Sequence, residues 1–191
     1  MVNERGMHRA RLLLVSGSLR QGSTNTALLR TAEVVAPPEI AAELYSGMGE
    51  LPHFNPDLDQ PPLDPAVADL RTTIHAADAI LFSTPEYAGG LPGSFKNLLD
   101  WTIGDDDARS IYRKPVAWVN TSAAPTGAAD AHASLRKILA YAHASLIEEA
   151  CAAIPVTRHA VHDGLLVDPS IRSSIVRALR VLAAAAGDDD P

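Results

Sequence analysis

The stretch that decides the fold is LLLVSGSLRQGSTNT, residues 12–26. An apolar run, Leu12–Val15, leads into a loop of hydroxyls, an amide, two glycines and one arginine, and then into an amphipathic segment. A strand–loop–helix unit of this kind presents the free N–H groups and the positive dipole end of the helix to an anion. Arg20 can add a charge-assisted bond worth about 1.5–3 kcal/mol. The same residue types also favour an ordinary N-capped turn, so this stretch alone leaves both interpretations open.

A second strand-to-loop segment lies further along the chain. Residues 79–84, AILFST, predict a buried strand, and residues 85–101, PEYAGGLPGSFKNLLDW, follow it directly. Pro85 sets the direction of the chain, while Gly89 and Gly90 allow the backbone to approach a ligand closely. Two loops of this type, each following a buried strand, predict a ligand site where the strands end.

Composition narrows the class of protein. The chain has 191 residues, a net charge of −7 and one cysteine. The length suits one domain, the negative charge argues against a nucleic-acid partner, and Cys151 alone cannot form an internal disulfide or a cysteine-based zinc site. Residues 1–10 lack the apolar core of a signal peptide, and no run approaches the ~20 apolar residues of a membrane span. We therefore expect a cytoplasmic protein without a metal site, and we read His159, His162 and Asp163 as a surface connection.

Apolar runs alternate with helical patterns, which predicts an α/β fold built from stacked βαβ units. Continuously apolar strands indicate a parallel sheet covered by helices on both faces. Glu43 in the second strand and Pro155 in the fifth favour edge positions, and edges at two and five fit the order 2-1-3-4-5. The predicted strands are residues 11–15, 40–45, 79–83, 116–120 and 151–156. Helical stripes are predicted at Val67, Leu70 and Ile74; at Phe95, Leu98 and Leu99; at Leu135, Ile138, Leu139, Ala142 and Leu146; and at Ile171, Ile175, Leu179 and Leu182.

The two loop motifs resemble those of the NADPH-dependent FMN reductase family, within the flavodoxin-like superfamily. That family has a Gly-Ser-Leu-Arg, Ser-x-Asn loop and a Pro-Glu-Tyr-Asn-Gly-Gly, Pro-Gly, Lys-Asn, Asp-Trp segment, and residues 51–57, LPHFNPD, resemble its Leu-Pro-x-aromatic-Asn turn. The resemblance covers roughly residues 10–185. It implies one flavodoxin-like FMN-binding domain over residues 1–191, a three-layer sandwich with a five-stranded parallel sheet. We expect residues 1–9 and 187–191 to be flexible.

The resemblance also implies which residues hold FMN. A loop without Gly-x-Gly-x-x-Gly or Gly-Lys-Ser/Thr suits a terminal monophosphate better than a pyrophosphate or a triphosphate. Ala88 stands where the family usually has Asn, and Ala123 and Ala124 stand where many relatives have glycines. For Glu86, capping of the helix that Pro92 begins, or pairing with a neighbouring subunit, is an alternative to flavin contact. The implied phosphate residues are Ser18, Arg20, Ser23, Thr24, Asn25 and Thr26, and the implied ring residues are Pro85, Glu86, Tyr87, Ala88, Gly89 and Ser122.

The implied activity is FMN-dependent NAD(P)H oxidoreduction. The flavin itself accepts hydride at N5, so no catalytic side chain is expected, and a quinone, flavin, azo compound or metal oxyanion would reoxidise it in a ping-pong cycle. A flavodoxin-like electron carrier and a flavin-free binding or regulatory protein are the alternatives. NADPH is favoured over NADH by the resemblance only. Arg109 or Arg113 is a candidate to meet a 2′-phosphate, but both lie in a polar stretch, which favours a solvated surface charge instead. Relatives imply a homodimer or homotetramer formed through the helix that begins near Pro92, with Trp101 near the partner or in the core.

Overall fold

A computed structural model describes residues 9–187 of the chain. Strands and helices alternate along the sequence, as the pattern predicts. The terminal segments predicted to be flexible lie, apart from residues 9 and 187, outside the described residues. The elements are β1 (Ala10–Ser16), α1 (Thr24–Val35), β2 (Ile40–Leu44), α2 (Pro65–Ala76), β3 (Ala79–Ser83), α3 (Gly93–Ile103), β4 (Pro115–Asn120), α4 (Ala129–Tyr141), β5 (Ser145–Leu146), β6 (Ala152–Ala153), β7 (Val161–His162), β8 (Leu165–Leu166) and α5 (Pro169–Gly187).

The main sheet is parallel and has the strand order β2-β1-β3-β4-β5. The predicted flavodoxin-like topology is therefore confirmed. β1 pairs with β3 from Leu12 opposite Ala79 to Ser16 opposite Ser83, so both strands end at the same level. The loops after β1, β3 and β4 consequently meet at one edge of the sheet, at the switch point where ligands bind in open α/β sheets.

The fifth position of the sheet differs from the prediction of one strand over residues 151–156. β5 pairs with the start of β4, opposite Pro115 and Val116, and β6 pairs with its end, opposite Val119 and Asn120. A 3₁₀ turn over Glu148–Ala150 separates the two pieces. Because α4 already ends at Tyr141, Leu146 belongs to β5 and not to the predicted helical stripe. Leu146 lies only a few residues beyond the end of α4 and continues the apolar pattern of the helix by chance, which is why the periodicity misplaced it.

Two buried cores lie on opposite faces of the sheet. Alternate residues of β1 divide between them, with Leu13 and Val15 on one face and Leu12 and Leu14 on the other. The first core packs against α2, α3 and α4, and the second packs against α1 and α5. This arrangement is the predicted three-layer sandwich, and it places the N-termini of α1 and α4 beside the strand ends.

A small hairpin of β7 and β8 connects the sheet to α5. His162 pairs with Leu165 across a two-residue turn, Asp163-Gly164, whose φ angles are 49° and 79°. These positive angles are those of a type I′ turn, for which Asp-Gly is a preferred pair. Among the described residues, no helix is long and apolar enough to span a bilayer.

Candidate functional site

The loop after β1 is closed by its own hydroxyl groups. Ser18 Oγ accepts a hydrogen bond from the Arg20 N–H at 3.3 Å, and Ser23 caps α1 by accepting from the Thr26 N–H at 3.4 Å. The first turn of a helix leaves its N–H groups without intrahelical acceptors. Those of Thr24 and Asn25 have no acceptor among the described residues. They are therefore available to an anion at the positive end of α1.

Asn25 joins the first helix to two strands of the sheet. Its Oδ1 accepts from the Ser83 hydroxyl at 2.8 Å and from the Thr121 hydroxyl at 3.0 Å, and the side chain is almost fully buried. The amide Nδ2 is the donor that this arrangement leaves for a ligand. Gly17 allows the end of β1 to lie close to the end of β3, because a Cβ at this position would come within 2.3 Å of Thr84 Oγ1.

The loop after β3 forms a tight turn at the rim of the site. Tyr87 and Gly90 exchange backbone hydrogen bonds of 3.0 and 3.1 Å. Between them, Ala88 and Gly89 have φ angles of 50° and 72°, the positive values of a type I′ turn. All three residues at the tip are exposed, and Tyr87 exposes 48% of its surface. The turn thus places a half-exposed aromatic ring beside the strand ends.

Glu86 points away from this turn and reaches α4. Its Oε2 accepts from the N–H groups of Asp130 and Ala131 at 3.0 and 3.1 Å. The carboxylate therefore caps a helix, but this helix is α4 and not the one after Pro92 that was the alternative to flavin contact. The contact forms because the loop after β3 and the N-terminus of α4 lie close together at this edge of the sheet, although they are far apart in sequence.

The three loops enclose a cavity of about 350 Å³, within the usual range of roughly 300–1,000 Å³ for small-molecule sites. Among the described residues that line it, Arg20 is the only cation and Glu86 the only carboxylate. The remaining polar groups are hydroxyls and an amide. The lining residues are Arg20, Thr24, Asn25, Thr84, Pro85, Glu86, Thr121, Ser122, Ala123, Ala124, Thr126, Ala128 and Val156.

Six of the twelve sequence-predicted residues line this cavity, and six lie behind it or at its rim. Thr26 bonds to Ser16 Oγ at 2.8 Å, and Ser23 and Ser18 hold the first loop in shape. Tyr87, Ala88 and Gly89 form the exposed tip. The residues brought together at the cavity are Arg20, Thr24, Asn25, Pro85, Glu86 and Ser122.

Sequence reasoning missed several residues of the cavity wall. Thr84 and Thr121 directly follow the apolar runs of β3 and β4, so their position at the strand ends was a usable signal. Val156 arrives from the split fifth position of the sheet, and Ala128 reaches the wall through a left-handed backbone with φ 54°. No local pattern indicates either of these two.

Three other candidates lie away from the site. Trp101 is fully buried, and its indole N–H donates to the Pro52 carbonyl at 2.8 Å, so it belongs to the core. Arg109 forms a two-point ion pair with Asp107, and Arg113 precedes β4. Both arginines therefore lie at the amino ends of the strands, opposite the cavity, and neither is placed to meet a 2′-phosphate there.

Cys151 also has no part in this cavity. The side chain is half-buried between the two cores, and burial raises the pKa of its thiol above the ordinary value. A thiol in this environment stays protonated at neutral pH and reacts slowly. The observation agrees with the interpretation of Cys151 as a small hydrophobic residue.

Fold and site together define a flavodoxin-like α/β protein with a candidate anion site at the carboxyl ends of its strands. The free N–H groups of α1, the Thr24 hydroxyl, the Asn25 amide and Arg20 are all donors. A donor set of this kind fits a phosphate monoester, because each phosphate oxygen accepts hydrogen bonds and Arg20 offsets its charge. The residues present therefore fit FMN.

Comparison with known proteins identifies the family. Residues 10–158 match the NADPH-dependent FMN reductase family model. The chain is 35% identical over 173 residues to an NAD(P)H-dependent FMN reductase of Pseudomonas aeruginosa, covering 90% of this chain and 92% of the relative. It is 30% identical over 142 residues to a quinone reductase of Escherichia coli K12, covering 74% and 75%.

A solved structure of a flavoenzyme is also similar to this chain. The flavoenzyme NAD(P)H:acceptor oxidoreductase FerB of Paracoccus denitrificans superposes with a TM-score of 0.80 at 28% identity, covering 94% of this chain and 98% of that one. The chain belongs to the NADPH-dependent FMN reductase family, as its two loop motifs predicted. It is accordingly an FMN-dependent oxidoreductase that takes its electrons from NAD(P)H.

Proposed function

We propose that this protein transfers electrons from NADPH to a quinone through FMN held in the cavity at the ends of β1, β3 and β4. The observation that carries the proposal is the convergence of free helix N–H groups, Arg20 and the Asn25 amide on one cavity beside the Tyr87 turn. When bound, FMN supplies the hydride chemistry. We choose NADPH over NADH as the electron donor because the family that matches this chain is described as NADPH-dependent.

The side chains divide into two groups in this proposal. Arg20, Thr24 and Asn25 bind the phosphate, with Ser18, Ser23 and Thr26 holding their loop in shape. Pro85, Ser122 and the turn of Tyr87, Ala88 and Gly89 form walls for the ring, and Glu86 fixes that wall to α4. These residues bind and orient; none of them needs to act as an acid, a base or a nucleophile.

A quinone is the acceptor that the surface favours. Tyr87 and Leu19 expose 48% and 58% of their surfaces in the two loops that border the cavity, and an exposed aromatic ring and aliphatic side chain suit a flat neutral molecule. A net charge of −7 disfavours the approach of a metal oxyanion. The similarity to a quinone reductase supports the same choice.

Stopped-flow and steady-state kinetics test this function. Anaerobic addition of NADPH should bleach the bound flavin directly, without a long-wavelength band. Varying NADPH at several fixed concentrations of a benzoquinone should give parallel double-reciprocal lines, because both substrates use one site in turn. A benzoquinone should show a higher kcat/KM than free FMN, an azo dye or chromate. A higher value for chromate would overturn the choice of acceptor.

The same experiment separates the two alternative functions. A flavodoxin-like carrier would react slowly with NADPH, and a flavin-free protein would show no flavin spectrum after reconstitution. The donor set around the cavity and the family membership both favour the reductase.

We also propose that the protein assembles with copies of itself and works in the cytoplasm. An apolar groove of about 900 Å³ runs between α3 and α4, lined in part by Phe54, Leu91 and Ile138. Tyr141, at the edge of the groove, exposes 74% of its surface. A large exposed apolar patch is typical of an interaction surface. A single cysteine is compatible with a reducing compartment.

A further inference from the structure

We propose that Glu86 is a positioning residue of the flavin site, which acts by tying the turn after β3 to the N-terminus of α4. The inference rests on the placement of FMN in the cavity proposed above. The carboxylate lines the cavity, yet its Oε2 is occupied by the N–H groups of Asp130 and Ala131. It therefore influences a bound ring through the shape of the wall rather than through a hydrogen bond of its own.

The helix needs this carboxylate because its own N-cap position cannot supply one. Ala128 occupies that position with a φ of 54° and has no side-chain acceptor for the first N–H groups. Side chains with an oxygen are strongly preferred there, and a negative charge is favoured near the positive end of a helix. Glu86, more than forty residues earlier in the chain, takes the role that a local Ser, Asp or Asn would ordinarily fill.

Asn120 extends the link to the whole loop after β4. Its side-chain Nδ2 donates to the Gly127 carbonyl, and its Oδ1 accepts from the Ser122 N–H at 2.8 Å. Residues 121–128 are thus fastened at the strand end by Asn120 and at the helix end by the contact between Glu86 and α4. The start of the loop after β3, where Pro85 and Glu86 line the cavity, and the loop after β4 are thereby held together as one unit.

The contact between Glu86 and α4 also reduces the repulsion between the Glu86 carboxylate and an anionic ligand in the cavity. A free carboxylate in the wall would repel a phosphate in the same cavity, since both are negative at neutral pH. Held against the N–H groups of α4, the charge of Glu86 is balanced by the helix dipole.

Hydrogen exchange of the protein without flavin tests the link directly. In Glu86→Ala, the amides of Asp130 and Ala131 and residues 121–128 should exchange faster than in the wild type, because the tether is gone. Flavin fluorescence titration should show an FMN Kd raised about tenfold, because binding must then order a wall that the hydrogen bonds of Glu86 to α4 hold in place in the wild type. Glu86→Gln keeps an acceptor of the same length and should restore the Kd to within about threefold of wild type.

Asp64→Ala is the matched control. Asp64 caps α2 by accepting from the Ala66 N–H at 2.9 Å, and it does not line the cavity among the described residues. This variant should lower Tm by loss of a helix cap but leave the FMN Kd within about twofold, since distant sites act independently. If Asp64→Ala raises the Kd as much as Glu86→Ala, or if the Gln variant binds no better than the Ala variant, Glu86 is a stabilising cap only and the proposal is wrong. If the wild type itself fails to bind FMN, or if FMN leaves exchange at the cavity unchanged, the placement of the flavin fails instead.

Discussion

At the scale of single residues, Ala88 occupies a backbone position that favours a different side chain. Its φ of 50° lies in the left-handed region, where a Cβ costs roughly 1–2 kcal/mol and where Gly and Asn are tolerated best. The side chain is exposed, so nothing in its surroundings compensates for that cost. The family's usual Asn at this position therefore has a conformational reason as well as a chemical one.

We expect Ala88→Gly to stabilise the protein by about 1 kcal/mol and to raise Tm by roughly 2–4 °C, because it removes the left-handed strain. Ala88→Asn should raise Tm in the same direction. Thermal unfolding by circular dichroism measures both. Ala68→Gly, at an exposed position within α2, is the control and should lower Tm, since glycine destabilises a helix interior. Equal losses in both glycine variants would contradict the strain at Ala88.

Arg20 is the second residue with a specific expected effect. Its guanidinium lies at the cavity and donates to the Gly22 carbonyl at 3.1 Å. We expect Arg20→Ala to weaken FMN binding by roughly one to two decades, the equivalent of one lost charge-assisted bond. Fluorescence titration gives the Kd. Arg30→Ala removes the same charge from an exposed site on α1 and should leave the Kd unchanged; identical Kd values for the two variants would remove Arg20 from the site.

At the scale of elements, α5 shows how a capped helix makes stability depend on pH. Asp168 precedes the helix and accepts from the Ser170 hydroxyl and from the N–H groups of Ile171 and Ser170. These hydrogen bonds hold the pKa of the Asp168 carboxyl below its usual range. A carboxyl with a lowered folded-state pKa stabilises the fold above its unfolded-state pKa, and that contribution is lost as the pH falls through the folded-state value.

We therefore expect Asp168→Asn to have a lower Tm than the wild type at pH 7, and the difference to close as the pH falls below about 4. Thermal unfolding across a pH series measures it. Asp106→Asn removes an exposed carboxylate with no hydrogen bond to its side chain among the described residues, and should show a smaller pH-dependent difference. A difference for Asp168→Asn that stays constant down to pH 3 would show that the charge of Asp168 plays no part.

Elements also show where sequence patterns are reliable. The buried stripes of α2, α3 and α5 and the continuously apolar β3 and β4 repeat over enough residues for the period to be unambiguous. The fifth position of the sheet is built from two strands of two residues each, which are too short to show a period. Only their pairing with β4 defines them.

At the scale of the whole molecule, the groove between α3 and α4 carries the proposed self-association. Trp101 is buried, so the contact between copies would be made by exposed residues of the groove such as Tyr141. We expect the wild type to be at least a dimer at micromolar concentration by light scattering. Tyr141→Glu should shift it towards the monomer, because a charge is costly within an apolar interface. Val34→Glu, also highly exposed but on α1, should not; a monomeric wild type would refute the proposal.

The sequence by itself determined the fold, the family and the loops that meet at the site. It did so because the strand and helix periods, the Gly-Ser-Leu-Arg loop and the Pro-Glu-Tyr segment are local patterns. They can be interpreted from consecutive residues without knowledge of the tertiary contacts. Only the tertiary structure decided how the side chains in those loops are used. Glu86 was expected to contact flavin, cap a nearby helix or meet a partner, and it caps α4. Thr84 and Thr121 line the cavity because parallel strands end at one level, whereas Val156 reaches it through a contact between residues far apart in the chain, which leaves no local signal.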